Sequence, residues 1–190
     1  MKLYLLPLSF ITLIASVCSA GTYVGAGIGA LTDGGDLVYT ARLGYDFTDD
    51  SDDASIVGLE LEYLFTSGDE SLLGATADTD FSFIMANFRY EMALAPTPTD
   101  LYLYTFAGIG FAMVDVDTFF PGLGQDSDDD TTFAAQGGIG LKYLFSESFS
   151  VLFGYRYLYL DETEFELYGL PLEPGSEGDS IIELGFNYSF

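Results

Sequence analysis

From residue 36 onward the chain is largely written in twos. In 36–47, Leu37, Tyr39, Ala41, Leu43, Tyr45 and Phe47 share one parity, and Asp36, Thr40, Arg42, Gly44 and Asp46 share the other. The same division runs through 55–66 (Val57, Leu59, Leu61, Tyr63, Phe65 against Gly58, Glu60, Glu62) and 79–94 (Ile84, Ala86, Phe88, Tyr90, Met92 against Asn87, Arg89, Glu91). It continues through 131–146, where Phe133 to Phe145 oppose Gln136, Gly138, Gly140 and Lys142. It continues again through 149–160, where Phe149 to Tyr159 oppose Ser150, Gly154 and Arg156. Successive side chains of a strand point to opposite faces, so each segment is a strand with one apolar and one polar face. Two further segments, 21–30 and 101–116, have strand composition but are rich in glycine, and their facing stays open. The eighth, 179–190, closes the chain with Ile182, Leu184, Phe186, Tyr188 and Phe190 on one face and Glu183, Gly185, Asn187 and Ser189 on the other.

The charges obey this parity. Beyond residue 20 the basic residues are Arg42, Arg89, Lys142 and Arg156, and all four fall on polar faces. So do Glu60, Glu62, Glu91 and Glu183, while none of the residues named on the apolar faces is charged. An Arg or Lys facing lipid at the bilayer midplane costs about 2–4 kcal/mol, so this segregation is what a membrane wall demands. Segments of about ten residues suit tilted membrane strands. Tyr and Phe gather near the ends of the apolar faces, where amphipathic rings sit at bilayer interfaces. A water-soluble barrel would share the period but turn its polar face outward, leaving the aromatic apolar set without a reason.

Composition narrows the rest. The formal net charge is −25, yet 49% of residues are hydrophobic, so the charge must be segregated from a large apolar surface. A chain this acidic offers nucleic acid no basic footprint. There is no His, and the one Cys, Cys18, lies in the N-terminal segment. That segment reads as a secretory signal: Lys2, an apolar stretch from Leu3 to Val17, and small residues before a cut after Ala20. The reading is therefore all-β: a cleaved signal peptide over 1–20, then an eight-stranded antiparallel up-and-down transmembrane β-barrel over 21–190. With both termini on the inner side, outer loops are expected at 31–35, 67–78, 117–130 and 161–178, and inner turns at 48–54, 95–100 and 147–148.

The terminal strand with its final Phe190, the eight segments and the Gly-rich stretches 23–29 and 107–110 resemble the small outer-membrane barrels. These include the outer membrane protein A barrel domain, outer membrane protein X and the opacity-type adhesins. The resemblance spans the mature chain and implies the outer membrane of a Gram-negative bacterium. It also implies outer-membrane lipid and lipopolysaccharide as surroundings, and Tyr188 and Phe190 as the signal read by the barrel assembly machinery. A cell-wall tethering role is not expected from the resemblance, since the terminal strand closes the sequence at Phe190.

Candidate chemistry follows from the polar faces. Arg42, Asp46, Glu60, Glu62, Arg89, Glu91, Lys142, Arg156 and Glu183 should project into a lumen only wide enough for side chains and pair there as a plug. The other reading of the same nine is a gate. Removing the charge of Arg89 is expected to destabilise the fold more than removing that of Asp128 in an outer loop. The acidic groups Asp126, Asp128, Asp129 and Asp130, and Asp161, Glu162, Glu164 and Glu166, belong to outer loops. They match no EF-hand pattern and read as solvated surface charge, open to surface ligands, with no metal site or cofactor expected. Barrel enzymes of the outer membrane resemble one another in using His as general base, so enzymatic function is not expected here. The expected role is structural or surface-interacting (adhesion, envelope integrity), with a small diffusion channel for ions or solutes as the alternative.

Overall fold

A computed structural model describes residues 21–32, 35–47, 55–72, 75–94, 100–122, 124–163, 165–167, 170–172 and 177–190. Residues 1–20, where a signal segment is expected, and residues 48–54 and 95–99, where inner turns are expected, lie outside them.

Alternation drives one closed sheet. The strands are β1 (Thr22–Leu31), β2 (Leu37–Asp46), β3 (Ser55–Leu72), β4 (Ala75–Ala93), β5 (Leu101–Phe120), β6 (Gly124–Ser146) and β7 (Phe149–Leu160). A short hairpin, β8 (Phe165–Leu167) and β9 (Leu170–Leu172), precedes the last strand, β10 (Glu177–Ser189). Neighbours run β1-β10-β7-β6-β5-β4-β3-β2 and back to β1, an eight-stranded antiparallel barrel with β8-β9 as a separate two-stranded sheet. Closure leaves no sheet edge within the wall, as lipid requires of any spanning sheet. The seam is made by the chain ends: Tyr23 pairs with Ser189, and the Phe190 amide donates to the Thr22 carbonyl at 3.0 Å.

Facing in β1 and β5, open from the sequence, is settled by burial. Tyr23 points inward and Ile28 outward; Tyr104, Ala112 and Val114 point inward, and Ile109 and Phe111 outward. The outer wall is a continuous apolar surface that includes Leu59, Ile84, Phe111, Phe153 and Phe186, each roughly half exposed. Aromatic pairs mark its lower rim: Tyr45 with Phe47, Tyr143 with Phe145, and Tyr188 with Phe190, with centroids 5.2, 5.0 and 5.2 Å apart.

Two expected outer loops are instead strand. β3 and β4 stay paired to Leu72↔Ala75, and β5 and β6 to Phe120↔Gly124. Gly122 and Gly124, at φ +95° and +99°, turn the second hairpin. Because β6 pairs with β7 only from Ala134 onward, its outer stretch pairs with β5 alone in the barrel sheet. The four strands thus continue beyond the barrel as a fin. Asp126, Asp128, Asp129 and Asp130 stand on strand β6 of this fin, a correction to their placement in a loop. The segments 67–72, 75–78, 117–120 and 124–130 have the composition of loops, because Asp, Ser, Thr and Gly are frequent in them. Outside the bilayer, however, cross-strand pairing needs no apolar face. Charged side chains on an exposed edge also keep it from pairing with another chain.

The fin's outward face stacks like charges. Asp80 pairs with Asp115, which pairs with Asp129; Asp78 pairs with both Asp69 and Asp117. Partial burial and the charges of Asp115, Asp117 and Asp78 push the Asp80 carboxyl up from its ordinary value. A carboxyl raised in the folded state favours folding at low pH, and that contribution is lost as pH rises through its folded value. Asp80→Asn is therefore expected to stabilise the fin at neutral pH and low salt by a few tenths of a kcal/mol, screened by solvent. Slower amide exchange at Asp80 and Asp115 would show it, and the gain should vanish in high salt and below the carboxylate range.

Candidate functional site

The inward face of the barrel is built in layers. Nearest the termini, Arg89 (β4) pairs with Asp46 (β2) and with Glu91 at 2.9 Å, and Lys142 (β6) reaches the other oxygen of Glu91 at 2.8 Å. The Arg89 guanidinium also lies 4.3 Å from the centroid of the Tyr23 ring, a cation–π contact away from water. The Tyr23 hydroxyl donates to Glu60 at 2.6 Å.

Glu60 links this layer to the next, because Asn87 donates to both Glu60 and Glu62, each at 3.1 Å. Glu62 is the hub. Arg42 Nε donates to its Oε1 at 2.8 Å; Arg156 donates through Nη1 to Oε2 at 2.8 Å and through Nη2 to Oε1 at 2.9 Å; Gln136 adds a bond at 2.8 Å. The Arg156 fork is bidentate, the strongest geometry for this pair. Glu183 (β10) bridges the same two arginines, accepting from Arg42 Nη2 at 2.6 Å and from Arg156 Nη2. The Tyr104 hydroxyl donates to its other oxygen at 3.4 Å. All nine residues singled out from the sequence meet in these two layers. Eight are at most 9% exposed, and the Asp46 side chain is 14% exposed.

Above the charges the lumen turns apolar. Val38, Leu64, Phe83, Met85, Val114, Leu158 and Ile181 form a buried cluster with Ala112 and Ala134. The apolar layer was not foreseen, and neither were Tyr23, Tyr104 and Phe106. The inward face of β5 carries Tyr104, Phe106, Ala112 and Val114, so both its faces are apolar and alternation is blind to it. A usable signal lay in the glycines opposite. A Cβ on Gly44 would run into the Tyr23 ring, one on Gly138 into Phe106 and one on Gly154 into Tyr104. The Gly-rich face of β1 works likewise, with Gly25 leaving room for Asn187 and Gly27 for Thr40.

The lumen is therefore closed twice. Between the charged residues the free space is a cavity of about 10 Å³ bounded by Arg42, Glu60, Arg89, Tyr104 and Arg156 among others, room for about one water. Over it lies a packed apolar layer that would dewet any path. No group of three or more carboxylates among the described residues is placed to hold a metal ion. The side chains of Glu164 and Glu166 fall outside what the structure describes.

The profile of the outer membrane protein beta-barrel domain family matches residues 4–190. The chain belongs to this family. As an outer-membrane barrel it has the Gram-negative outer membrane as its location, and the end carrying the long hairpins is the extracellular one. Solved barrels share the fold. Neisserial surface protein A is 15% identical with a TM-score of 0.59, the alignment covering 90% of this chain and 98% of that one. A major outer membrane protein from Thermus thermophilus is 12% identical with a TM-score of 0.62, covering 90% and 100%. Ail, the attachment invasion locus protein of Yersinia pestis, seen with the heparin analogue sucrose octasulfate, is 15% identical with a TM-score of 0.52, covering 89% and 96%. A search of curated proteins found no match.

Proposed function

We propose that this outer-membrane barrel acts through its outer surface, as an envelope or adhesive component, and that its lumen is a structural plug rather than a path. The observation that carries this is the double closure: a cross-linked layer of four cations and five carboxylates beneath a dry apolar layer. A channel would need the ion pairs to separate inside a space with room for about one water. With the lumen closed, contact with the surroundings falls to the fin and the outer loops, as in surface-acting barrels where loops carry recognition.

Ail is known in complex with a polyanion. The fin of this chain is acidic instead, so a sulfated polysaccharide is not carried over as a ligand, and a basic or cation-bridged surface fits its charge. Tyr188 and Phe190 keep their proposed role as the assembly signal, and residues 1–20 their role as a secretion signal removed after Ala20. The absence of His supports a non-enzymatic role. Proteoliposome swelling tests the reading: vesicles carrying the refolded barrel should swell no faster than empty vesicles in glycine or arabinose. Swelling that falls with solute size would establish the channel alternative.

A further inference from the structure

Above the plug the lumen opens outward into a cavity of about 470 Å³. Its wall is Leu31, Phe81, Phe83, Leu158 and Leu160, with Thr66 and Asp179 as its polar residues. These side chains come from β1, β3, β4, β7 and β10, so the cup is part of the barrel scaffold rather than of the outer loops. Its floor is the buried apolar layer, against which Leu31, Phe81 and Leu160 pack. The outward rows of the same strands end in lipid; these inward rows end in the medium, where an unfilled apolar surface is costly. A cavity of this size, apolar with few polar groups, has the make-up of a small-molecule site.

We propose that the cup binds a single-chain or single-ring apolar molecule carrying a positive charge, a cationic amphiphile arriving from the external medium. Two observations fix the class. The Thr66 hydroxyl is buried without a hydrogen-bond partner among the described residues, and so is available to a polar ligand atom after a side-chain rotation. The mouth is negative: Asp179 lies in the cup wall, and Asp126, Asp128 and Asp130 occupy the inward-facing parity of the fin beyond it. A carboxylate-headed or phosphate-headed chain would meet this field with its own sign, whereas an ammonium head would be drawn to it. A lipid tail entering through the wall is disfavoured because the strands that line the cup stay hydrogen-bonded to their neighbours, β7 with β10 as far as Leu160↔Glu177 and β3 with β4 past Thr66↔Phe81.

The test uses the refolded barrel in nanodiscs with leucine methyl groups labelled for NMR, titrated with decylamine and, separately, decanoate. Leu31, Leu158 and Leu160 report the cup; Leu61 and Leu141, on the lipid-facing wall, report partition into the bilayer. The expected result is saturable decylamine shifts at the three cup leucines, with decanoate about tenfold weaker or more. Asp179→Asn should narrow the difference between the two probes, and Leu160→Trp, which fills the cup, should abolish the saturable shifts. Shifts confined to Leu61 and Leu141, or equal affinity for amine and carboxylate, would overturn the proposal. A conducting lumen in the swelling assay would leave this result readable, since the two assays probe different halves of the lumen.

Discussion

Replacing Glu62 by Ala is expected to remove about 3–5 kcal/mol of stability, since it leaves two buried arginines short of their shared carboxylate. Five hydrogen bonds end on Glu62: one from Arg42, two from Arg156, and one each from Asn87 and Gln136. Glu183 would remain, but as the sole carboxylate partner of both guanidiniums. The chain has no Trp, so the loss should be read in urea by the gel-mobility shift of folded barrels or by circular dichroism. The double variant Glu62→Ala with Arg156→Ala should recover part of the loss, because it removes an unpaired charge together with its partner. Losses that simply add would mean that the pair contributes nothing as a unit. By contrast, a single fin carboxylate such as Asp129 should change stability by no more than about 0.5 kcal/mol when replaced.

Gly140→Val should prevent folding or cost more than the usual ~1–3 kcal/mol of an overpacked core. A Cβ at Gly140 would meet the Phe153 carbonyl, the Tyr104 ring at 2.5 Å and the Gly154 Cα at 2.7 Å. Two of these are backbone and cannot move aside. Three residues away on the same strand, Gly137 faces outward, and its added Cβ would find only a carbonyl oxygen 3.6 Å away. Gly137→Ala should therefore leave stability unchanged or raise it slightly by restricting the unfolded chain. Folding yield into lipid vesicles, scored for both variants side by side, separates a requirement for space in the lumen from a general cost of changing a barrel glycine.

How much of this was legible in the sequence depends on which face is asked. Lipid tolerates no charge, so the outer face of β2, β3, β4, β6, β7 and β10 is free of charge along the wall and could be followed by counting in twos. The lumen tolerates anything that packs and pairs. Its charged half announced itself because every basic residue beyond residue 20 falls on the polar parity of its strand. Its apolar half hid inside runs where alternation lapses: Leu37-Val38-Tyr39, Tyr63-Leu64-Phe65, Phe83-Ile84-Met85, Tyr157-Leu158-Tyr159 and Ile181-Ile182. The runs lie at one level of the barrel wall, above the charged residues, and together they mark the layer at which the lumen becomes dry. Partner identity was not legible, because Arg42 and Arg156 share Glu62 and Glu183 across strands far apart in sequence. The fin escaped notice because its strands, standing clear of lipid, do not need an apolar face.

Single-channel recording in a planar bilayer tests directly whether the lumen is closed. The wild-type barrel, correctly inserted, should give no steady current across the voltage range that the bilayer survives. Glu62→Ala, if it inserts, should stay silent too, because the apolar layer over the charges is left in place. A wild-type barrel with a stable conductance that is altered by Arg89→Ala would contradict the account and make the charged layers a filter.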